Sequence, residues 1–153
     1  MMIEIKAPNI ILKATQLSVF LAGSIEMDTA ENWQNKVINE LSNYNITFFN
    51  QMRDSWNSTW KQEITNPQFK EQVLWELNSL EQADIIVLYF DPNTKSPISL
   101  LELGLFARDK KIIVCCPDGF WRKGNVDIVC EKYNILQVAN LNTLIDQIKS
   151  RVQ

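Results

Sequence analysis

The chain contains no histidine. That gap removes Ser-His and Cys-His nucleophile pairs and most zinc sites at once. Acid–base chemistry here has to run on Asp, Glu, Tyr, Lys or Cys. Cysteine is scarce as well: Cys115, Cys116 and Cys130 are an odd number at spacings that match no zinc or redox motif. They read as reduced filler, with Cys115 and Cys116 ending an apolar run and pointing to opposite faces of a strand. No apolar run approaches the ~20 residues of a membrane span, and the first residues carry no signal-peptide pattern. No membrane partner and a cytoplasmic location are therefore expected. A basic field is missing too: the net charge is −3, which disfavours nucleic-acid binding through phosphates. With no repeat, low-complexity segment or linker, residues 1–153 read as one domain, long enough to bury a core.

What the chain does have is strand-like runs alternating with helical patterns. Ser18 to Ala22, Ile46 to Asn50, Asp84 to Phe90, Ile112 to Cys116 and Ile135 to Val138 read as strands. Between and after them lie helical patterns over Thr29 to Tyr44, Pro67 to Ala83, the segment opened by Ser96-Pro97, Val126 to Tyr133 and Leu141 to Val152. Met1 to Lys13 is a weak edge-strand candidate outside this count. Strands spaced by helices give a parallel sheet with right-handed crossovers. The expected fold is α/β, a flavodoxin-like or Rossmann-like three-layer sandwich on a five-stranded parallel sheet. In such sheets ligands sit outside the carboxyl ends of the strands, where the strand order reverses. That gathers Gly23-Ser24, Asn50, Asp91 to Ser96 and Pro117 to Asn125 around one crevice.

Two carboxylates stand where solvated charges should not. Ser96 and Pro97 read as an N-cap followed by proline at the first helical position. At about 100° per residue, Ile98, Leu101, Leu105 and Phe106 then share an apolar face, and Glu102 falls on it. On the preceding helix Phe69, Val73, Leu77 and Leu80 recur at helical spacing, and Glu76 points with them. Burying an ionised carboxylate without a partner costs several kcal/mol or more. One such group is readily explained by a local partner. Two of them, on helices flanking one strand, point to chemistry.

These residues carry a resemblance. Phe20-Leu21-Ala22-Gly23-Ser24-Ile25, the stretch Trp75-Glu76 to Ala83-Asp84, the block Ser96 to Glu102-Leu103-Gly104, and Gly124-Asn125-Val126 resemble the nucleoside 2-deoxyribosyltransferase family. They also resemble its relatives, the 2'-deoxynucleoside 5'-phosphate N-hydrolases. The resemblance implies that Glu102 attacks the sugar C1' and that Glu76 replaces the family's usual aspartate as proton donor to the base. It implies sugar contact for Ser96, with Asn125 reaching into a neighbouring subunit's site and the chain forming a homo-oligomer. It further implies a small-molecule deoxynucleoside and a free nucleobase as partners, with no cofactor and no metal. Phe20 stands where many members carry a tyrosine that orients the nucleophile. Glu26 stands where the phosphate hydrolases carry an arginine, which favours a free nucleoside, although Arg53, Arg122 and Lys123 lie in crevice loops and keep the phosphate alternative open.

Around this pair, Gly23 reads either as close backbone approach to a ligand or as a tight turn. Asp91 and Asn93 read as sugar-hydroxyl binders or, with more weight, as the turn before the helix. Asp84 is expected to begin its strand and cap a neighbour. Trp56, Trp60, Phe120 and Trp121 are candidates for a dry, stacking wall that keeps water from a covalent intermediate. A domain that keeps the fold and binds nucleotides without turnover is the reading from another class.

Overall fold

The structure is a computed structural model, and it describes residues 1–9, 15–25, 32–52 and 59–152. Glu26, Arg53, Trp56 and the expected start of a helix at Thr29 lie outside these residues. The strands are β1 (Ile3–Lys6), β2 (Leu17–Gly23), β3 (Ile46–Asn50), β4 (Ile85–Tyr89), β5 (Ile112–Cys115) and β6 (Leu136–Val138). The helices are α1 (Trp33–Glu40), α2 (Pro67–Gln82), α3 (Pro97–Phe106), α4 (Lys123–Lys132) and α5 (Leu141–Lys149). The sheet has six strands rather than five, in the order β1-β3-β2-β4-β5-β6. Every pairing is parallel. The added strand is β1, which pairs with β3 at the sheet edge. Its residues are exposed or half-buried, so it lacks the continuous apolar run that announces the central strands.

Two apolar layers clamp the sheet. Val19, Leu21, Phe48, Val87 and Cys115 face α1 and α5 on one side. Phe20, Ala22, Phe49, Leu88, Val114 and Cys116 face α2, α3 and α4 on the other. The alternation along β2 and across Cys115 and Cys116 is the period-two rule of strands. All three cysteines are buried free thiols. Burial pushes Cys115 up to about 12 and Cys116 and Cys130 up to about 11, so none is a thiolate near neutrality.

From β2 the chain runs outward to β3, and from β3 it returns across β2 to β4. The order therefore reverses between β2 and β4, and the crevice beyond their carboxyl ends is the expected ligand position. Gly23 ends β2 there with φ +126°, and a Cβ on it would lie 2.4 Å from the Tyr89 carbonyl oxygen. Only glycine fits, because the neighbouring strand's backbone occupies the space a side chain would need.

The helices correct two expected faces. On α3 the buried residues are Ser99, Glu102, Leu103 and Phe106. Ile98, Leu101 and Leu105 are instead 53%, 58% and 54% exposed. Glu102 thus points inward opposite that apolar stripe, not along it. On α2 the buried face is Gln72, Trp75, Ser79 and Leu80, while Val73, Glu76 and Leu77 are half-buried at its margin. In both helices apolar content misreads direction, because a buried face can carry serine, glutamine and glutamate when the site needs them.

Candidate functional site

Beneath α2 and α3 the sheet presents Phe20 and Ala22 of β2, with α3 lying against that strand. Phe20 is fully buried, and its ring centroid is 6.3 Å from that of Trp75 on α2. Glu102 enters this apolar space from α3 and is only 4% exposed. Neither of its carboxylate oxygens finds a hydrogen-bond partner among the described residues. Burial, and secondarily the charge of Glu76, pushes its pKa up to about 8. Glu76 approaches from α2; burial raises it to about 7, against a smaller downward pull from the Gln72 hydrogen bond. The structure therefore brings the two carboxyls into one electrostatically coupled pair. With Glu102 raised further than Glu76, Glu102 is the last of the two to lose its proton as pH rises. Two carboxyls whose protons are held into the neutral range can serve as one acid and one anion, the two roles glycosidic bond cleavage requires.

Gln72 and Gln51 join this site, and neither carries an apolar or charged signal in the sequence. Gln72, 5% exposed, lies one helical turn before Glu76. Its Nε2 donates to Glu76 Oε1 at 3.0 Å and to the Gln51 carbonyl at 3.0 Å. Gln51 Nε2 donates in turn to the Gly23 carbonyl at 3.1 Å. The ends of β2 and β3 are thereby tied to the carboxylate on α2. The sequence signal for Gln72 is its spacing with Trp75 and Ser79 along α2, which reads as a helix face once Trp75 is taken as its anchor.

Of the other expected residues, Ser24, Asp91 and Ser96 meet with Thr94 in a buried hydroxyl cluster. Ser24 Oγ contacts Thr94 Oγ1 at 2.9 Å and Ser96 Oγ at 2.7 Å, and it accepts from the Asp91 amide at 2.8 Å. Thr94 Oγ1 and Ser96 Oγ are also 2.7 Å apart. Ser96 precedes α3 but makes no side-chain cap, and its backbone is left-handed at φ 46°. The expected cap fails because the hydroxyl bonds within the cluster, which locks the loop leading into α3. Asp91 Oδ1 accepts from the Asn93 amide at 2.9 Å, the turn role.

Trp121 is 46% exposed. Its indole donates to the Lys95 carbonyl at 2.8 Å, and both Lys95 Nζ and Arg122 Cζ stand 4.3 Å from its ring centroid. Phe120 is buried against Phe90 with centroids 4.9 Å apart, so it belongs to the core. Asn125 is exposed on α4. Lys123 Nζ is held by the Cys116 carbonyl and Asp127 Oδ1, each at 3.0 Å. No group of residues suited to a metal ion occurs among the described residues. No described helix is long and apolar enough to cross a membrane.

Residues 16–120 match the sequence profile of a family described as nucleoside 2-deoxyribosyltransferase like. No curated protein matches the chain. A crystal structure of a conserved protein from Enterococcus faecalis V583 is similar in fold, with a TM-score of 0.63 at 15% identity. The similarity covers 89% of this chain and 99% of that one.

Proposed function

The chain belongs to the nucleoside 2-deoxyribosyltransferase-like family, and from that premise we propose that it exchanges the base of a 2'-deoxynucleoside through a covalent deoxyribosyl–Glu102 intermediate. The observation that carries this reading is the pair of carboxyls, Glu102 buried and Glu76 half-buried beside it, both raised well above the usual carboxylate range. Glu102 attacks C1' as the bond to the base nitrogen breaks, and Glu76 gives its proton to the departing base. The nitrogen of a second base then attacks C1', the ester bond to Glu102 breaks, and Glu76 takes the proton back. Two displacements retain the configuration. In the free protein the higher value belongs to Glu102, so bound substrate has to move the proton. A base nitrogen against Glu76 and positive charge developing at C1' beside Glu102 both favour a protonated Glu76 and an ionised Glu102. The substrate thus selects the active protonation state of the pair.

Two of the three cations that could hold a 5'-phosphate are engaged elsewhere, which favours a free nucleoside; the third, Arg53, lies outside the described residues. Lys123 is held by Asp127 and the Cys116 carbonyl, and Arg122 lies over Trp121. The outer stripe of α3, Ile98, Leu101 and Leu105, carries no charge and supports a homo-oligomer. Sedimentation should find a dimer or larger, and Leu101→Lys should shift it toward monomer.

The deciding experiment mixes the protein with a 2'-deoxynucleoside and a different free base, then separates the products by chromatography. A new deoxynucleoside that is absent with Glu102→Ala is the expected result. Free base and deoxyribose alone would reassign the same pair to hydrolysis, and silence across purine and pyrimidine donors would leave a binding domain.

A further inference from the structure

Gln72 makes two hydrogen bonds through one atom and none through the other. Its Nε2 serves the Gln51 carbonyl and Glu76 Oε1, while its Oε1 is buried with no partner among the described residues. The amide cannot turn over to repair this. A flip would set Oε1 against the Gln51 backbone carbonyl, an acceptor whatever the protonation state of Glu76, and would lose that bond. The side chain is held with an unused acceptor next to the group that handles the base's proton. An acceptor left unmade in a buried place is costly, so the arrangement is stable in use only with a donor opposite it.

We propose that Gln72 selects the base: its carbonyl oxygen accepts an N–H from an amino group adjacent to the ring nitrogen that Glu76 serves. Gln72 and a protonated Glu76 together present an acceptor beside a donor. The N7 and 6-amino edge of adenine is the complement of that pair, whereas 6-oxopurines offer two acceptors along the same edge. The enzyme therefore exchanges 6-aminopurines in preference to 6-oxopurines. This selection rests on the base-exchange reading above.

The test offers adenine and hypoxanthine in competition as acceptors, with a panel of 2'-deoxynucleoside donors. Wild-type protein should incorporate adenine about tenfold to a hundredfold faster by kcat/KM, the range a single unpaired buried acceptor produces. Gln72→Met, with folding verified by circular dichroism, should slow both bases and bring their ratio near unity. A purely structural residue would slow both and leave the ratio intact, and that result overturns the proposal. Equal use of the two bases by the wild type also overturns it, whether or not the variant folds. Should no donor be turned over at all, the exchange reading fails on its own. Calorimetric titration with the free bases then decides about Gln72: tighter adenine supports it, and equal or absent binding overturns it.

Discussion

The two ends of the sheet treat polar groups differently. At the amino end, Asp84 Oδ2 accepts from the Ser18 amide at 2.9 Å and from its hydroxyl at 3.0 Å, and the Asp84 amide donates back to Ser18 Oγ at 3.0 Å. Beside them Lys111 Nζ reaches the carbonyls of Leu80, Glu81 and Ala83 at 2.6, 3.1 and 2.9 Å, closing the end of α2. At the carboxyl end, Glu102 leaves both oxygens and Gln72 one oxygen unpartnered among the described residues. Each such buried group costs about 1–3 kcal/mol. Among the described residues the unmet groups are confined to Glu102 and Gln72, since the Ser24, Thr94 and Ser96 hydroxyls at the same end are hydrogen-bonded to one another. Partners are withheld at the two helices that carry the carboxyl pair.

The largest break in that contrast is Glu102→Gln. It should lower base exchange by at least about a thousandfold, as loss of a nucleophile does, while the protein unfolds at higher urea than wild type. Activity and stability would then move in opposite directions at one residue. Glu76→Gln comes next, with kcat/KM down about a hundredfold or more for loss of a general acid. Wild-type activity should follow a bell-shaped pH profile, falling on the acid side as the pair becomes doubly protonated and on the alkaline side as both carboxyls ionise. Glu76→Gln should abolish the alkaline limb. A variant that retains both limbs would remove Glu76 from proton transfer.

The same pair sets the pH dependence of folding. Glu102 is raised from 4.5 to about 8 and Glu76 from 4.5 to about 7. Between about 4.5 and 8 the folded chain therefore binds more protons than the unfolded one. Stability must fall as pH rises through that window and level off above it. A tenfold difference in proton affinity between the folded and unfolded chain is worth about 1.4 kcal/mol. The decline is therefore on the order of a few kcal/mol. Urea midpoints at the two ends of the window should show it in wild type and should show less of it in Glu102→Gln. A flat wild-type profile would mean that the carboxyls are not buried in solution.

Much of this contrast is legible in the sequence, but unevenly. The four inner strands, β3, β2, β4 and β5, announce themselves because burial on both faces demands continuous apolar runs, whereas β1 at the edge needs none. Both site glutamates stand out when set against a helical period. For Glu102 the period gives the wrong direction, since Ile98, Leu101 and Leu105 are as apolar as any core face yet point outward. Gln72 is faint: its spacing with Trp75 and Ser79 puts it on a helix face, but an uncharged polar residue has no assigned role until its neighbours in space, Gln51 and Glu76, are known. Likewise Ser96 has the sequence context of a cap, and only its contacts with Ser24 and Thr94 show where its hydroxyl is engaged.

Smaller effects sharpen the comparison from its satisfied end. Asp84→Ala removes the acceptor of both Ser18 hydrogen bonds. It should cost about 1–3 kcal/mol of stability with kcat/KM of the folded protein unchanged, because the residue lies at the amino end of its strand, away from Glu76 and Glu102. Lys111→Met is the mildest case. Its stem keeps the packing, and only the three carbonyl contacts at the end of α2 are lost. An ammonium at a helix C-terminus contributes about 0.3–1 kcal/mol, so the melting temperature should drop by a few degrees and base exchange should stay within about twofold of wild type. The comparison makes this outcome informative, because Lys111 and Glu76 hold the same helix. If Lys111→Met instead shifted the pH profile of exchange, the end of α2 would be transmitting strain to its carboxylate, and the two ends of the sheet would not be independent.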